Sequence, residues 1–152
     1  RCRLDRLSQP CASIRRGILM TIARFDHAAI PAQNLESMLT FYANLGFQVN
    51  RDRAPNLFSV HFGDNKINIH APDFWQSEKF TLRGPTAAPG CGDFCFVWEG
   101  SQSELDQLLA LHRITVIEGP ASREGGLNGG RATGQSTYIR DPDGNLLEFI
   151  IY

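Results

Sequence analysis

The sequence lacks the features that mark membrane proteins and nucleic-acid-binding proteins. No apolar run approaches the roughly 18 residues that a membrane-spanning helix needs, so no membrane partner is expected. The 15 Lys and Arg residues nearly balance the 16 Asp and Glu residues, and no basic stripe is interleaved with aromatic residues. This balance argues against nucleic acid as a partner. The two absences together predict a soluble protein.

Cysteine is scarce and irregularly spaced. The four cysteines, Cys2, Cys11, Cys91 and Cys95, do not follow the spacing of a zinc finger, and no secretory apolar segment precedes them. Reduced thiols are the expected state, because disulfides persist mainly in oxidising compartments. The sequence accordingly predicts a cytoplasmic location.

The chain is too short for two ordinary domains. Its 152 residues are enough for one compact domain that buries roughly 70% of its unfolded surface. Residues 1–20 are Arg-rich, poor in acids and without a clear hydrophobic period, which is typical of a targeting leader or an appended tag. We expect this segment to lie outside the fold and a single domain to occupy residues 21–152.

One order of elements occurs twice along the chain. Hydrophobic periods and turn signals predict a strand, a helix and three further strands over about 23–72, and again over 92–152. The first helix is expected to be capped at Asn34 and to end at Gly46, and the second to begin near Ser103. Each βαβββ module is too small to bury its own sheet face. The predicted fold is α+β, with two βαβββ modules forming one curved, mostly antiparallel sheet cup and helices on its outer face.

Four side chains with metal-binding groups fall at equivalent positions of the repeat. The segments FGDNKINIH and RDPDGNLLE align without a gap and match His70 with Glu148, and a looser alignment of the opening strands matches His27 with Asp93. Period-two alternation puts each of them opposite bulky apolar residues. A carboxylate such as Glu148 among apolar neighbours is costly unless a cation pairs with it. Two imidazoles and two carboxylates on one concave surface indicate a divalent metal site.

Two other features carry weaker signals. His61 lies on a neighbouring strand, and we expect it to line a pocket at most. The Gly-rich segment SREGGLNGGRATGQS has neither the spacing nor the strand-to-helix context of a phosphate-binding loop. It is interpreted either as a mobile lid that offers Arg123 and Arg131 to an anionic substrate or as a merely disordered connection.

The chain resembles the vicinal oxygen chelate superfamily, which includes glyoxalase I, extradiol dioxygenases, fosfomycin-resistance proteins and bleomycin-resistance proteins. FDHAAIPAQNLESMLTFYANLGFQV resembles the opening strand and helix of that family, and YIRDPDGNLLEF resembles its closing hairpin. With KINIHA and GCGDFCF, these segments are similar to the subgroup of glyoxalase domain-containing protein 5 and its bacterial virulence-associated relatives. The resemblance covers Phe25 to Tyr152.

This resemblance implies a metal-binding position in the first and last strand of each module. Matched strand by strand, the positions are His27, His70, Asp93 and Glu148, and Asp93 stands where the family usually has His. The implied ion is divalent: Ni, Zn, Mn, Co or Fe(II). Glu148 or Asp93 is the implied general base beside a metal-polarised carbonyl. A small-molecule substrate, glutathione as a candidate co-substrate and a homodimer complete these expectations.

The function predicted from these residues is that of a metal-dependent enzyme. A glyoxalase-like lyase or isomerase acting on a small oxygenated or thiol-conjugated metabolite is the first choice. An extradiol-type dioxygenase and a metal-free binding protein of the bleomycin-resistance kind are the alternatives, since a fold and a ligand set do not fix a reaction. Bleomycin-binding members lack such a ligand array, so the candidate ligands favour an enzyme.

Overall fold

A computed structural model describes residues 22–152, and the predicted leader, residues 1–20, lies outside the described residues together with Thr21. The strands are β1 (His27–Pro31), β2 (Gln48–Arg53), β3 (Leu57–Phe62), β4 (Asn65–His70), β5 (Asp93–Val97), β6 (Glu118–Gly125), β7 (Ala132–Arg140) and β8 (Leu146–Ile151). The helices are α1 (Leu35–Asn44), α2 (Pro72–Trp75), α3 (Gln102–Leu111) and α4 (Leu127–Gly130).

The strands form two four-stranded sheets with the same topology. The strand orders are β1-β4-β3-β2 and β5-β8-β7-β6. In each sheet the first strand pairs parallel with the last, and the other neighbours are antiparallel. The predicted α+β class with two βαβββ modules is therefore confirmed. Within residues 22–152 each module hydrogen-bonds its own sheet, so the predicted cup consists of two sheets.

Each sheet packs its apolar face against helices in one shared core. The fully buried core side chains include Met38, Leu39 and Tyr42 of α1, Leu105 and Leu109 of α3, Ile67 and Ile69 of β4, and Leu147 of β8. Aromatic rings join the modules: the centroid of Phe96 lies 5.1 Å from that of Phe47 and 5.0 Å from that of Phe62. Such edge-to-face pairs add about 0.5–1.5 kcal/mol each beyond their buried area.

The turn between β7 and β8 also joins the modules, because it caps α1. Asp143 accepts hydrogen bonds from the backbone N–H of Gln33 at 2.7 Å and of Asn34 at 2.9 Å, and from the side-chain amide of Asn34 at 2.8 Å. The predicted helix start at Asn34 is correct. The cap itself differs from the prediction, since a carboxylate from the other module satisfies these N–H groups.

A buried polar cluster lies directly behind that turn. Asp141 accepts hydrogen bonds from the Tyr42 hydroxyl at 3.1 Å and from the side-chain amide of Asn145 at 2.7 Å. Burial raises the pKa of Asp141 despite these donors. Burial, together with the nearby charge of Asp141, raises the pKa of Tyr42 well above its usual value. The DPDGN segment thus anchors the second module to the first.

The Gly-rich segment is an ordered hairpin formed by β6, α4 and β7. Arg123 lies within β6, where its Nε donates to the Tyr138 hydroxyl at 3.2 Å and its guanidinium pairs with Glu118. Arg123 is therefore held by groups of its own module. Helix α3, the long helix of the second module, begins one residue before the predicted start, because Ser101 and Glu104 form a capping box.

Candidate functional site

The candidate ligands lie on the sheet faces that turn away from the core. Ala29 pairs with Asn68 and Pro31 with His70, so His27 shares a face with both of these β4 side chains. We call this the first-module face. The second-module face carries Asp93 and Cys95 of β5, Glu148 of β8, and Ser136 and Tyr138 of β7. Both faces follow the predicted alternation along their strands.

Strand register shows which residues of the two modules are equivalent. His27 at the start of β1 pairs with Lys66, and Asp93 at the start of β5 pairs with Leu146. His27 and Asp93 are therefore equivalent, as the sequence alignment has them. Lys66 of β4 is therefore equivalent to Leu146 of β8, and the residues that follow them along the two strands are equivalent in the same order.

Two residues further along, Asn68 corresponds to Glu148. His70 corresponds to Ile150, so the gapless alignment of the two hairpins is wrong by two residues on the last strand. Turn length accounts for one of these residues, since four residues separate the paired His61 and Lys66 whereas five separate the paired Arg140 and Leu146. The other arises on the preceding strands, where the register makes His61, and not Phe62, the equivalent of Arg140. The repeat therefore does not make His70 equivalent to Glu148.

His27 has the environment of a metal ligand. Its Nδ1 lies 2.6 Å from a carboxylate oxygen of Asp26, and its side chain is 46% exposed. An ionised carboxylate only accepts hydrogen bonds, so Nδ1 carries the proton and Nε2 is left available. The hydrogen bond from His27 lowers the pKa of Asp26. Carboxylates commonly orient histidine ligands in this way.

His70 is covered by aromatic side chains of the connection that follows β4. Its ring meets Phe74 and Phe80 edge-on, with centroid distances of 5.5 and 5.0 Å, and these two rings stack 4.1 Å apart. Burial lowers the pKa of His70, which favours the neutral imidazole. His70 pairs four residues beyond His27, about 13 Å along the strands. The structure does not bring the two imidazoles together.

Glu148 is surrounded by hydroxyl and thiol groups. Its Oε1 accepts a hydrogen bond from Ser136 Oγ at 2.5 Å. Burial, followed by the charge of Glu148, raises the pKa of the neighbouring Cys95 thiol to about 12. A thiol with that pKa stays protonated and is a poor nucleophile. Asp93 lies at the exposed start of β5.

Tyr138 and Arg123 also belong to this face, which was not predicted from the sequence. Tyr138 pairs with Glu148 across β7 and β8, and Arg123 donates to its hydroxyl. Burial raises the pKa of Tyr138. The alternation in GQSTYIR contained the signal, because it puts Ser136 and Tyr138 on one side of the strand.

The four predicted ligands are not assembled within one chain. Among residues 22–152, no three His, Cys, Asp or Glu side chains are placed to hold one metal ion. The imidazoles of the set lie on the first-module face and its carboxylates lie on the second-module face. The donor types suit a divalent metal. A single chain presents them on two separate surfaces.

Two cavities border these faces. The larger, a cleft of about 700 Å³ between the modules, is lined by aromatic side chains that include Phe47, Phe62, Phe96 and Trp98. The smaller, of about 250 Å³, opens on the first-module face between β2, β3 and β4. His61 lines both cavities, so its predicted place as a pocket-lining residue is confirmed.

The architecture and the motifs agree with one known family. The family model described as the glyoxalase/bleomycin resistance protein/dioxygenase superfamily matches residues 24–149. The chain belongs to this superfamily. The predicted vicinal oxygen chelate family is thereby confirmed. None of the helices within residues 22–152 is long and apolar enough to cross a membrane.

Two similar proteins indicate which subgroup of the superfamily the chain resembles. Glyoxalase domain-containing protein RDO1 of Mycosarcoma maydis is 32% identical over 135 residues, which cover 88% of this chain and 70% of that protein. Virulence protein STM3117 of Salmonella typhimurium is 33% identical over 138 residues, which cover 89% of this chain and 88% of that protein. One relative is named a glyoxalase domain-containing protein and the other a virulence protein, as the predicted subgroup has it.

Solved structures of superfamily members reproduce the fold. The crystal structure of STM3117 matches with a TM-score of 0.76 at 30% identity and covers 88% of this chain and 99% of that chain. A lactoylglutathione lyase from Agrobacterium tumefaciens matches with a TM-score of 0.64 at 22% identity and covers 87% of this chain and 96% of that chain. At that identity the second match shows the fold alone.

Proposed function

We propose that this superfamily member is a metal-dependent enzyme whose metal site forms between two copies of the chain. The separation of the donors carries the proposal, since His27 and Glu148 lie on different sheet faces and no three donors converge among the described residues. A second copy would bring its second-module face to the first-module face of its partner. Isologous pairing of this kind forms two equal sites.

The charges of the two faces support such pairing. The first-module face presents Lys66 and His27, whereas the second-module face presents Asp93 and Glu148 beside a Glu118–Arg123 ion pair. Complementary potentials of this kind steer association and fix the register of an interface. Formal charges over the whole chain nearly cancel, so the attraction would be local.

The proposed ligands are His27 of one copy and Asp93 and Glu148 of the other. His70 would join these ligands only if Phe74 and Phe80 moved aside. A bound divalent ion would supply Lewis-acid polarisation of a substrate oxygen. Asp93 in place of the family's usual His makes the set richer in oxygen donors.

The chain's own groups around Glu148 fit a proton-transfer role. Ser136 holds Oε1, and Tyr138 and the protonated Cys95 enclose the carboxylate, which fixes where it can accept a proton. We assign the chain to glyoxalase-like lyase or isomerase chemistry on a small oxygenated metabolite. The dioxygenase alternative uses the same ligands. Glutathione enters as a candidate thiol co-substrate.

Calorimetry tests the metal centre. Chelator-stripped wild type, Glu148→Ala and Glu124→Ala are titrated with Ni²⁺ and Zn²⁺, and glutathione is then added to the loaded protein. Glu124 is an exposed β6 residue that faces away from the second-module face, which makes it a matched control. We expect tight binding that weakens at least about tenfold in Glu148→Ala alone. Absence of binding in wild type, or equal loss in both variants, would contradict the proposal.

The cleft between the modules favours one second function, metal-free binding of a ligand. Its aromatic lining and its volume of about 700 Å³ suit a drug-sized apolar molecule. Saturable binding of the dye 8-anilinonaphthalene-1-sulfonate to native protein, combined with no metal affinity, would favour that function.

A further inference from the structure

We propose that the first-module face binds a small organic anion that also carries a hydroxyl group. The site is the pocket of about 250 Å³ between β2, β3 and β4, whose polar lining includes Arg53, Ser59, His61, Lys66 and Asn68. This volume accommodates a metabolite of about ten non-hydrogen atoms. The proposal rests on the proposed function, because the pocket would seat the substrate beside His27.

The lining charges favour an anion. Lys66 and Arg53 are cationic, and neither forms an ion pair with any residue in the described part of the chain. Asp52, the carboxylate among the described lining residues, is engaged locally: it accepts from the side-chain amide of Asn50 at 2.7 Å. Its backbone N–H donates back to Asn50 Oδ1 at 2.9 Å. The lining therefore has a formal charge of about +1 with two uncommitted cations.

A buried acceptor in the same pocket indicates the hydroxyl group. Oδ1 of Asn68 is inaccessible and has no hydrogen-bond donor among residues 22–152. Buried polar atoms normally have a partner, and a small rotation of the Asn68 amide would open this oxygen to a donor in the pocket. Next to it, Ser59 Oγ and His61 Nε2 lie 2.8 Å apart and share a hydrogen bond. A ligand hydroxyl would donate to Asn68.

Comparison with the second module shows that this chemistry is specific to the first. Register makes Glu148 the equivalent of Asn68 and Glu118 the equivalent of Asn50. The same backbone positions thus carry neutral amides in one module and carboxylates in the other. The first-module face would hold the charged end of the substrate, and the second-module face would supply the proton acceptor.

Three probes separate the two parts of the proposal. Metal-free protein labelled with ¹⁵N is titrated with malate, with succinate, which lacks the hydroxyl, and with butane-1,2,4-triol, which lacks the charges. We expect saturable shifts of the Ser59, His61 and Asn68 amides with malate at millimolar concentration. Succinate should bind about fivefold or more weakly, and the triol should leave the spectrum unchanged.

Variants identify the groups responsible. Lys66→Gln should weaken malate binding about tenfold, and Asn68→Leu should remove the preference for malate over succinate. Lys79→Gln, in the exposed connection after α2, is the charge-matched control and should bind malate like wild type. The dispersion of each variant's own spectrum verifies its fold.

Several outcomes would contradict the binding of a hydroxylated anion in this pocket. These are no saturable binding of malate, equal affinity for malate and succinate, or unchanged affinity in Lys66→Gln. The result of the metal titration does not depend on these outcomes, because the malate titrations use metal-free protein. Metal binding without malate binding removes the pocket and keeps the metal site, whereas malate binding without metal binding does the reverse.

Discussion

At the scale of residues, a few polar side chains hold the two modules in a fixed relation. Asp143 caps a helix of the other module, and Asp141 pairs with Tyr42 of that helix. The turn signal in DPDG was evident from sequence, because Asp, Pro and Gly favour turns. Its contacts were not, since a hydrogen bond over about a hundred residues of chain leaves no local pattern.

Asp143→Ala should lower the free energy of unfolding by about 1–2 kcal/mol, since α1 loses its capping carboxylate. Urea denaturation monitored by circular dichroism measures this change. Glu78→Ala, at an exposed residue of the connection after α2, should change stability by less than about 0.5 kcal/mol. Equal effects of the two substitutions would remove Asp143 from this role.

Tyr42→Phe should change how stability depends on alkaline pH. The folded state raises the pKa of Tyr42, so only the unfolded chain ionises it just above pH 10. Wild type therefore loses stability with rising pH from about 10, by up to about 1.4 kcal/mol per pH unit more than Tyr42→Phe. Urea midpoints between pH 9 and 11 test this, and parallel curves for the two proteins would contradict it.

His70 shows a limit of reading residues from a repeat. The alternation correctly puts it on the face of His27. The register between the modules depends on turn length and on the pairing of β3 and β7 with their neighbours, and sequence similarity of the hairpins revealed neither. A shift of two residues leaves a side chain on the same face of the strand and changes only which residue lies beside it. The period-two pattern therefore could not reveal the error.

At the scale of elements, the glycines of the β6–β7 hairpin permit close packing. A methyl group at Gly134 would lie 2.6 Å from the carbonyl oxygen of Ile151 and 2.7 Å from Ile150. One at Gly126 would meet nothing within 4 Å, and that residue has an ordinary helical φ of −72°. Glycine required for close approach and glycine in a mobile loop look alike in a single sequence, so the sequence did not predict this packing.

Gly134→Ala should therefore destabilise the protein by about 1–3 kcal/mol, because the backbone of β8 would have to shift. Gly126→Ala should be nearly neutral, within about 0.5 kcal/mol. Thermal unfolding of the two variants measures the difference. A neutral Gly134→Ala would mean that this edge of the sheet is loosely packed.

At the scale of the whole molecule, the repeat predicted most of the architecture. Two modules, their element order, the polar faces and the equivalence of His27 with Asp93 follow from alternation and repetition in the sequence. The division into two separately hydrogen-bonded sheets did not follow, and neither did the separation of the donor set. Both depend on how modules pack, which is set by contacts such as Phe62 with Phe96.

The central claim is that His27 of one copy and Glu148 of another serve the same metal ion, and complementation tests it most directly. His27→Ala and Glu148→Ala chains are mixed, unfolded together, refolded and titrated at a metal concentration that loads wild type but leaves each variant alone largely unloaded. Random pairing should restore binding to about a quarter of the wild-type stoichiometry, because each mixed dimer regains one intact site. If the mixture binds no more metal than the separate variants do, His27 and Glu148 of different chains do not serve the same metal ion.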